Sequence, residues 1–323
     1  MNTQVKLAII AIIIVIPLTS FAVTQPSFTS EISTSDNSKL QVVTSANFLY
    51  EFTQNIGNEM IDVSLLVPMG VDPHDWEPTI RDTERIQKSD MIIINGIGYE
   101  HWIGSLELTG IAGILVDTSN GISTLNSIKY DEEKHDDDAK EDGHDEHTEE
   151  DERNHGALDP HIWLNPVYAQ LQVKNIANAL SNSDPTNKNY YQSNAAIYNQ
   201  ELNLLDTKIR TELSGCTTDF ITFHDAFSYF SKEYGLTQHT IISSNDSHGE
   251  VTPQTLENII STAKKYDIKV IFAEESSSTK TSQVIADEIG GKVLILSPLE
   301  ITSNENYISK MTQNLKNLKE ALC

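Results

Sequence analysis

Short apolar segments alternate with amphipathic helical segments along most of this chain, and this alternation constrains its fold more than any other feature. Repeated strand-helix alternation favours parallel sheets covered by helices. The predicted strands are residues 40–44, 61–67, 91–95, 113–117, 219–223, 238–242, 270–273 and 293–296. The predicted helices are residues 48–59, 79–88, 99–108, 165–180, 187–213, 226–234, 255–265, 279–289 and 307–321.

One predicted helix, residues 187–213, is unusually long and lies between the two sets of strands. Its apolar and aromatic residues are spaced by three and four: Ala195, Tyr198, Leu202, Leu205 and Ile209. At 1.5 Å per residue it would be roughly 40 Å long, enough to run along two lobes. Because 323 residues exceed what one core usually organises, we predict an α/β protein of two lobes. Each lobe has a parallel central sheet, and a long backbone helix joins them.

The N-terminus carries an export signal. Lys6 precedes an apolar run, residues 7–18, and small residues suited to cleavage follow at 19–22. The run is also long enough for retention as an N-terminal anchor. We therefore expect an extracytoplasmic protein, in the periplasm or at the outer face of the cell membrane. The predicted organisation is residues 1–24 as signal peptide or anchor, 25–38 as flexible tether, 39–186 as N-terminal lobe, 187–214 as linking helix and 215–323 as C-terminal lobe.

Acidic residues dominate the charge of the chain. The formal net charge is -25 and the isoelectric point is about 4.6, which argues against nucleic acid as a partner and suits a cation. Much of this charge lies in residues 131–155, which have no core-forming side chains and are predicted to be disordered. This segment contains His135, His144, His147 and His155. It is either a low-affinity loop for capturing or sensing a metal ion or a solvated, variable insertion.

Two cysteines, Cys216 and Cys323, are the only thiols of the chain. A cysteine pair in an exported protein is more often a disulfide than a metal site. We predict that they form a disulfide that ties the last residue to the segment before the strand at 219–223.

Three histidines lie within short motifs, and two of these motifs directly follow predicted strands. The motifs are Val71-Asp72-Pro73-His74-Asp75-Trp76-Glu77-Pro78-Thr79, Asp159-Pro160-His161-Ile162-Trp163-Leu164-Asn165-Pro166 and Phe223-His224-Asp225-Ala226-Phe227. Ligands of open α/β sheets bind beyond the carboxyl ends of the strands. Neutral imidazole is a common zinc ligand. The sequence therefore predicts one metal site in the cleft between the lobes.

These motifs resemble those of the solute-binding proteins of zinc and manganese ABC importers, from about Leu40 to the end of the chain. The resemblance also covers Tyr234-Gly235-Leu236 and a late acidic residue. It implies that His74, His161 and His224 bind the metal. It further implies capture of Zn²⁺ outside the cytoplasm and delivery to an ABC permease driven by a cytoplasmic ATPase, with the binding protein expected to be a monomer.

At the position of the fourth ligand, this chain departs from the most common sequence of the family. Many members of that family have Leu-Asp-Pro-Leu after the last strand, with the Asp as ligand, whereas this chain has Leu296-Ser297-Pro298-Leu299-Glu300. Some zinc-binding members use a Glu at the position of Glu300, so we assign the role to Glu300. Glu274 and Glu275, at another strand end, are the fallback ligands, and water is the remaining option. Asp159 and Asp225 are candidates to orient the neighbouring imidazoles.

Three imidazoles and one carboxylate favour Zn²⁺ over Mn²⁺, which prefers more oxygen ligands. A manganese-type binding protein and a surface adhesin on the same fold remain the alternatives. An enzyme is disfavoured, because Glu300 would close the position that a catalytic water needs. The chain also has no Gly-rich phosphate loop and no G-x-S-x-G motif.

Overall fold

The structure is a computed structural model that describes residues 39–105, 113–127, 158–242, 251–275 and 279–323. The predicted signal region, the tether and the acidic segment with His135, His144, His147 and His155 lie outside these residues. His248 also lies outside them.

The first lobe contains a parallel four-stranded sheet in the order β2-β1-β3-β4. Its strands are β1 (Leu40–Thr44), β2 (Ile61–Leu65), β3 (Met91–Ile94) and β4 (Ile114–Asp117). Its helices are α1 (Asn47–Gly57) and α2 (Ile80–Lys88), with 3₁₀ segments at Asn58–Met60 and His101–Ser105. Strand β3 reads Met-Ile-Ile-Ile and is buried at every position, as expected for an inner strand covered on both faces.

The second lobe repeats this order, with a parallel sheet β6-β5-β7-β8. Its strands are β5 (Asp219–Thr222), β6 (Thr237–Thr240), β7 (Val270–Ala273) and β8 (Lys292–Ile295). Two helices, α3 (Pro166–Ser183) and α4 (Lys188–Glu212), precede this lobe in the chain. The helices of the lobe are α5 (Ser228–Tyr234), α6 (Pro253–Lys265), α7 (Thr279–Glu288) and α8 (Tyr307–Leu322). The α/β prediction with two parallel sheets is confirmed.

Two helices join the lobes: α3 (Pro166–Ser183) and the long α4 (Lys188–Glu212). The 25 residues of α4 span about 37 Å at 1.5 Å per residue. All five apolar and aromatic positions predicted for its inner face are buried. Helix α4 packs against α1 of the first lobe and α8 of the second. One continuous hydrophobic core therefore extends across both lobes, and it includes Phe48, Phe52, Trp163, Leu202, Phe272 and Leu315.

Where it is described, the predicted helix at residues 99–108 begins two residues later than expected and is a 3₁₀ segment, His101–Ser105. Gly96, Ile97 and Gly98 all have positive φ, and they form a turn that leads into the 3₁₀ segment His101–Ser105. The carboxylate of Glu100 accepts hydrogen bonds from the backbone N–H groups of Asn95 (2.7 Å) and Gly96 (3.0 Å). These bonds close the turn that precedes the 3₁₀ segment.

The predicted disulfide between Cys216 and Cys323 is present, with the two Cα atoms 4.7 Å apart. The backbone N–H of Thr217 donates to the Leu322 carbonyl beside it (3.0 Å). A crosslink that closes a loop of 107 residues stabilises the fold by up to about 4 to 5 kcal/mol in the chain-entropy model. Among the described residues, no helix combines the length and apolar character that membrane crossing requires.

Candidate metal centre

His74 lies on the loop between β2 and α2. Its backbone N–H donates to the side chain of Asp72 (2.9 Å), which fixes a tight turn around Pro73. The loop ends at Thr79, which forms a capping box with Asp82 and starts α2. The His74 side chain is 19% exposed. Of the three motif histidines, it is the one that solvent reaches most easily.

His161 is fully buried, and hydrogen bonds hold it from two sides. Its Nδ1 donates to Asp159 Oδ1 (2.7 Å), and its backbone N–H donates to the same oxygen (2.9 Å). The Asn95 side chain donates to the Pro160 carbonyl (2.9 Å), and the Asp159 N–H donates to the Leu125 carbonyl (2.9 Å). These contacts fix the ring and direct Nε2 away from Asp159.

His224 follows β5 and is also buried. Its Nδ1 lies 2.5 Å from Glu274 Oε1, and its carbonyl accepts from Thr222 Oγ1 (2.8 Å) and Gln238 Nε2 (3.0 Å). The fallback ligand Glu274 therefore orients an imidazole, as Asp159 does for His161. A carboxylate that accepts from the outer ring nitrogen fixes the tautomer and makes Nε2 a better metal donor.

Asp225 was the sequence-based candidate to orient His224, but Glu274 takes the contact with Nδ1. Asp225 accepts from the Ser228 hydroxyl (2.7 Å) at the beginning of α5. The fallback ligand Glu275 contacts Lys310 (3.0 Å) and Ser297 (3.1 Å). The orienting role of Glu274 was missed, although its place at the carboxyl end of β7 was the available signal.

Glu300 completes the cluster from the loop after β8. Its Oε1 lies 2.9 Å from His74 Nε2 and 3.1 Å from His161 Nε2, and His161 Nε2 lies 3.4 Å from His224 Nε2. The four donor atoms all lie within 4.8 Å of one another. In a zinc tetrahedron with bonds of roughly 2.0 to 2.1 Å, neighbouring donors are roughly 3.3 Å apart. The structure thus brings together the four residues predicted as ligands.

The charges in the cluster are complementary. Burial lowers the pKa of His161, but the carboxylates of Asp159 and Glu300 outweigh it and raise the pKa to about 10. Burial also lowers the pKa of His224, but the Glu274 carboxylate outweighs burial, and the pKa is raised. Burial raises the pKa of Glu300, yet His74 and the other two imidazoles hold it well below its usual value. Without metal, these shifts favour an ionised Glu300 carboxylate and a protonated His161.

The other histidines and the tryptophans of the motifs have separate roles. His101 lies near Glu77 (3.4 Å) at the surface, and His239 on β6 pairs with Asp219 (2.9 Å). Trp163 stacks on Phe48 (ring centroids 4.3 Å apart). Trp76 is also buried. Both tryptophans belong to the hydrophobic packing around the site.

Two parallel α/β lobes joined by a long helix, with three imidazoles and a carboxylate clustered between them, define a metal-binding solute receptor of the kind that serves ABC importers. The model of the family described as zinc-uptake complex component A, periplasmic (ZnuA), matches residues 42–321. The chain belongs to this family.

Individual relatives agree with this assignment. The chain is 39% identical to the high-affinity zinc uptake system protein ZnuA of Bacillus subtilis over 297 residues, covering 89% of each protein. A crystal structure of ZnuA matches with a TM-score of 0.74 and 29% identity, covering 88% of this chain and 100% of that one. The laminin binding protein Lmb of Streptococcus agalactiae, described as a bifunctional protein with adhesin and metal transporting activity, matches with a TM-score of 0.72 and 26% identity, covering 87% and 99% of the two chains.

Proposed function

We propose that this protein captures Zn²⁺ outside the cytoplasm with His74, His161, His224 and Glu300 and delivers it to the permease of an ABC importer. The observation that carries the proposal is the convergence of these four donors, from both lobes, within 4.8 Å of one another. Membership of the zinc-uptake family supports the same cargo. In this proposal, zinc is the transported ligand and undergoes no chemical change.

The donor set favours zinc over manganese. Three imidazole nitrogens and one carboxylate oxygen suit a tetrahedral, borderline-soft cation, whereas Mn²⁺ is better served by oxygen ligands. A four-donor set also fills a tetrahedral zinc ion, whereas catalytic zinc keeps one position for water or substrate. These two arguments support carriage of zinc over the manganese-type and enzymatic alternatives.

The remaining sequence predictions belong to the same proposal. Residues 1–24 act as a signal peptide or a retained anchor, residues 25–38 as a tether, and the mature protein works as a monomer beside its permease and the cytoplasmic ATPase. Residues 39–186 and 215–323 form the lobes, and residues 187–214 link them. Nucleic acid is not a partner. The net charge of -25 supports a cation as the ligand.

Metal analysis tests the cargo directly. Protein purified without an affinity tag or chelator should contain one tightly bound zinc, and His224→Ala prepared in parallel should contain much less. Competition with manganese during reconstitution should leave zinc in the site. Manganese retained in the presence of equimolar zinc, or no metal stoichiometry at all, would contradict the proposal.

We assign the acidic segment at 131–155 a separate role from the tight site. Its histidines and carboxylates attract zinc at low affinity without contributing to the tight site. Deletion of residues 131–154 should remove the additional weak zinc stoichiometry in a titration and leave the tight site unchanged. Loss of tight binding in the deletion variant would contradict this assignment.

A further inference from the structure

A buried ammonium group contacts the loop that carries Glu300. Lys310, on the first turns of α8, is only 5% exposed. Its Nζ lies 3.0 Å from Glu275 Oε2 and 3.4 Å from the Ile301 carbonyl oxygen. Burying an ammonium group is costly even when it is paired, and an apolar side chain of similar volume often serves stability equally well. Its contacts therefore point to a role beyond stability.

Both acceptors of Lys310 are direct chain neighbours of site carboxylates. Glu275 follows Glu274, which orients His224, and Ile301 follows Glu300, which contacts His74 and His161. One ammonium group thus joins the chain segments that carry the two site carboxylates of the second lobe.

The loop that carries Glu300 needs such support, because its backbone is strained. Leu299 has φ 61°, a conformation that residues with a side chain rarely adopt. Its N–H donates to the hydroxyl of Ser297 (3.2 Å), and that hydroxyl donates to Glu275 Oε2 (3.1 Å). The carboxylate of Glu275 therefore links Lys310 to the strained turn.

Helix α8 contacts this loop at a second position on the same face. Asn314, one turn after Lys310, accepts from the Ser297 N–H (2.9 Å) and donates to the Ser297 carbonyl (2.7 Å). Residues four apart on a helix lie above one another. Lys310 and Asn314 together hold both ends of the segment from Ser297 to Ile301.

We propose that Lys310, through Glu275, is a positioning residue that places the Glu300 carboxylate at the metal cluster. It does not touch the metal. The inference rests on the proposed zinc-binding function, and it assigns to the Lys310–Glu275 pair the geometry of the carboxylate donor.

A double-mutant cycle tests this placement. Zinc affinity is measured by competition with a chromophoric chelator for the full chain, Lys310→Met, Glu300→Gln and the double variant. Lys310→Met should weaken zinc binding about tenfold, the scale typical of residues that support a metal ligand. In the Glu300→Gln background the same change should alter affinity less than about twofold, because the carboxylate that Lys310 positions is already gone.

A second readout follows the ligand geometry. Cobalt(II) replaces zinc, and its visible absorption spectrum reports the ligand set. The spectrum of Lys310→Met should approach that of Glu300→Gln, since both lose the ordered carboxylate. Lys319→Met is the matched control, because Lys319 lies on the same helix in an ion pair with Glu212 (3.2 Å), and it should match the unmodified protein in both measurements.

The outcomes separate this inference from the proposed function. If the unmodified chain fails to bind zinc tightly, the proposed function is wrong. If it binds zinc and Lys310→Met matches it, or weakens binding equally in both backgrounds, the positioning role is wrong. If Lys310→Met does not fold, Glu275→Gln replaces it in the same cycle, with the same coupling expected and the same additive result overturning the inference.

Discussion

Two buried glutamates, one in each lobe, lie at the carboxyl edges of their sheets and have pKa values shifted in opposite directions. Glu100 follows β3 and is 3% exposed, and Glu300 follows β8 and is 6% exposed. Burial raises the pKa of Glu100 to about 7 despite its bonds from Ser45, Asn95 and Gly96. Burial also opposes ionisation of Glu300, but the imidazoles around it hold its pKa well below the usual value. The partners, more than the depth of burial, decide which carboxylate is a charged ligand.

The turns that carry these glutamates also share a strained backbone. Ile97 and Leu299 have φ values of 57° and 61°. In the first lobe, Glu100 itself accepts the hydrogen bonds that close the turn. In the second, Ser297 and Glu275 hold the turn, so the Glu300 carboxylate remains available to the imidazoles. The first turn uses its glutamate to close the backbone, and the second presents its glutamate to the imidazole cluster.

Removal of one imidazole should have the largest effect on zinc affinity. His161→Ala or His224→Ala should weaken zinc binding by roughly 100- to 1,000-fold, because a zinc site with binding free energy of about 10 to 16 kcal/mol divides it among four ligands. Equilibrium competition with a chelator measures the loss. His239→Ala, at the Asp219 pair on β6, should bind zinc as the unmodified protein does. Equal loss in this control would contradict the site assignment.

Acidification should weaken zinc binding through the same groups. The pKa of His161 is raised to about 10 in the metal-free cluster, so its Nε2 carries a proton at neutral pH that zinc must displace. Affinity should therefore fall about tenfold for each pH unit below neutral. Calorimetry in buffers of different ionisation enthalpy should show release of about one proton or more per zinc at pH 7. Equal affinity at pH 5 and pH 7.5 would contradict the three-imidazole site.

Neutralising Glu300 tests the ligand side of the comparison. Glu300→Gln should weaken zinc binding roughly 10- to 100-fold while the three imidazoles still bind, since a charged donor is exchanged for a neutral amide. The cobalt(II) spectrum should change together with the affinity. Glu275→Asp keeps a carboxylate beside Lys310 and should weaken zinc binding less than Glu300→Gln does. A Glu300→Gln variant with unchanged affinity would favour water as the fourth ligand.

The sequence predicts the repeated strands and the long helix well. Runs of apolar residues indicate buried strands, and apolar residues spaced by three and four indicate the buried face of a helix. The motifs also identify His74, His161 and His224. Glu300 depends on the resemblance to a family, since an acidic residue in a loop has no spacing that distinguishes it from Glu274 or Glu275.

Other features of the site could not be predicted from local patterns. The contact between His224 and Glu274 joins residues 50 positions apart, and that between Lys310 and Glu275 joins residues 35 positions apart. Such pairs form only when the strand order brings chain segments together. The helix predicted at 99–108 is described only as far as residue 105, where the structure has the 3₁₀ segment His101–Ser105.

Glu100→Gln tests the structural side of the comparison through the stability of the fold, with no donor of the metal cluster changed. The folded-state pKa of Glu100, about 7, is above its ordinary value of 4.5, so its protonation favours the folded state. That contribution is fully present below pH 4.5 and is lost as the pH rises through 7, which amounts to about 2 kcal/mol between pH 5 and 7. Denaturant unfolding of the metal-free proteins should show that the unmodified protein loses about 2 kcal/mol between pH 5 and 7 that Glu100→Gln does not lose. The stability of the variant relative to the unmodified protein should therefore increase by this amount. Ser45→Ala, which removes a donor to the same carboxylate (2.6 Å), should retain the pH dependence because the buried acid remains. A stability difference that stays constant from pH 5 to 7 would mean that Glu100 is already ionised at pH 5, and the contrast between its raised pKa and the lowered pKa of Glu300 would then be wrong.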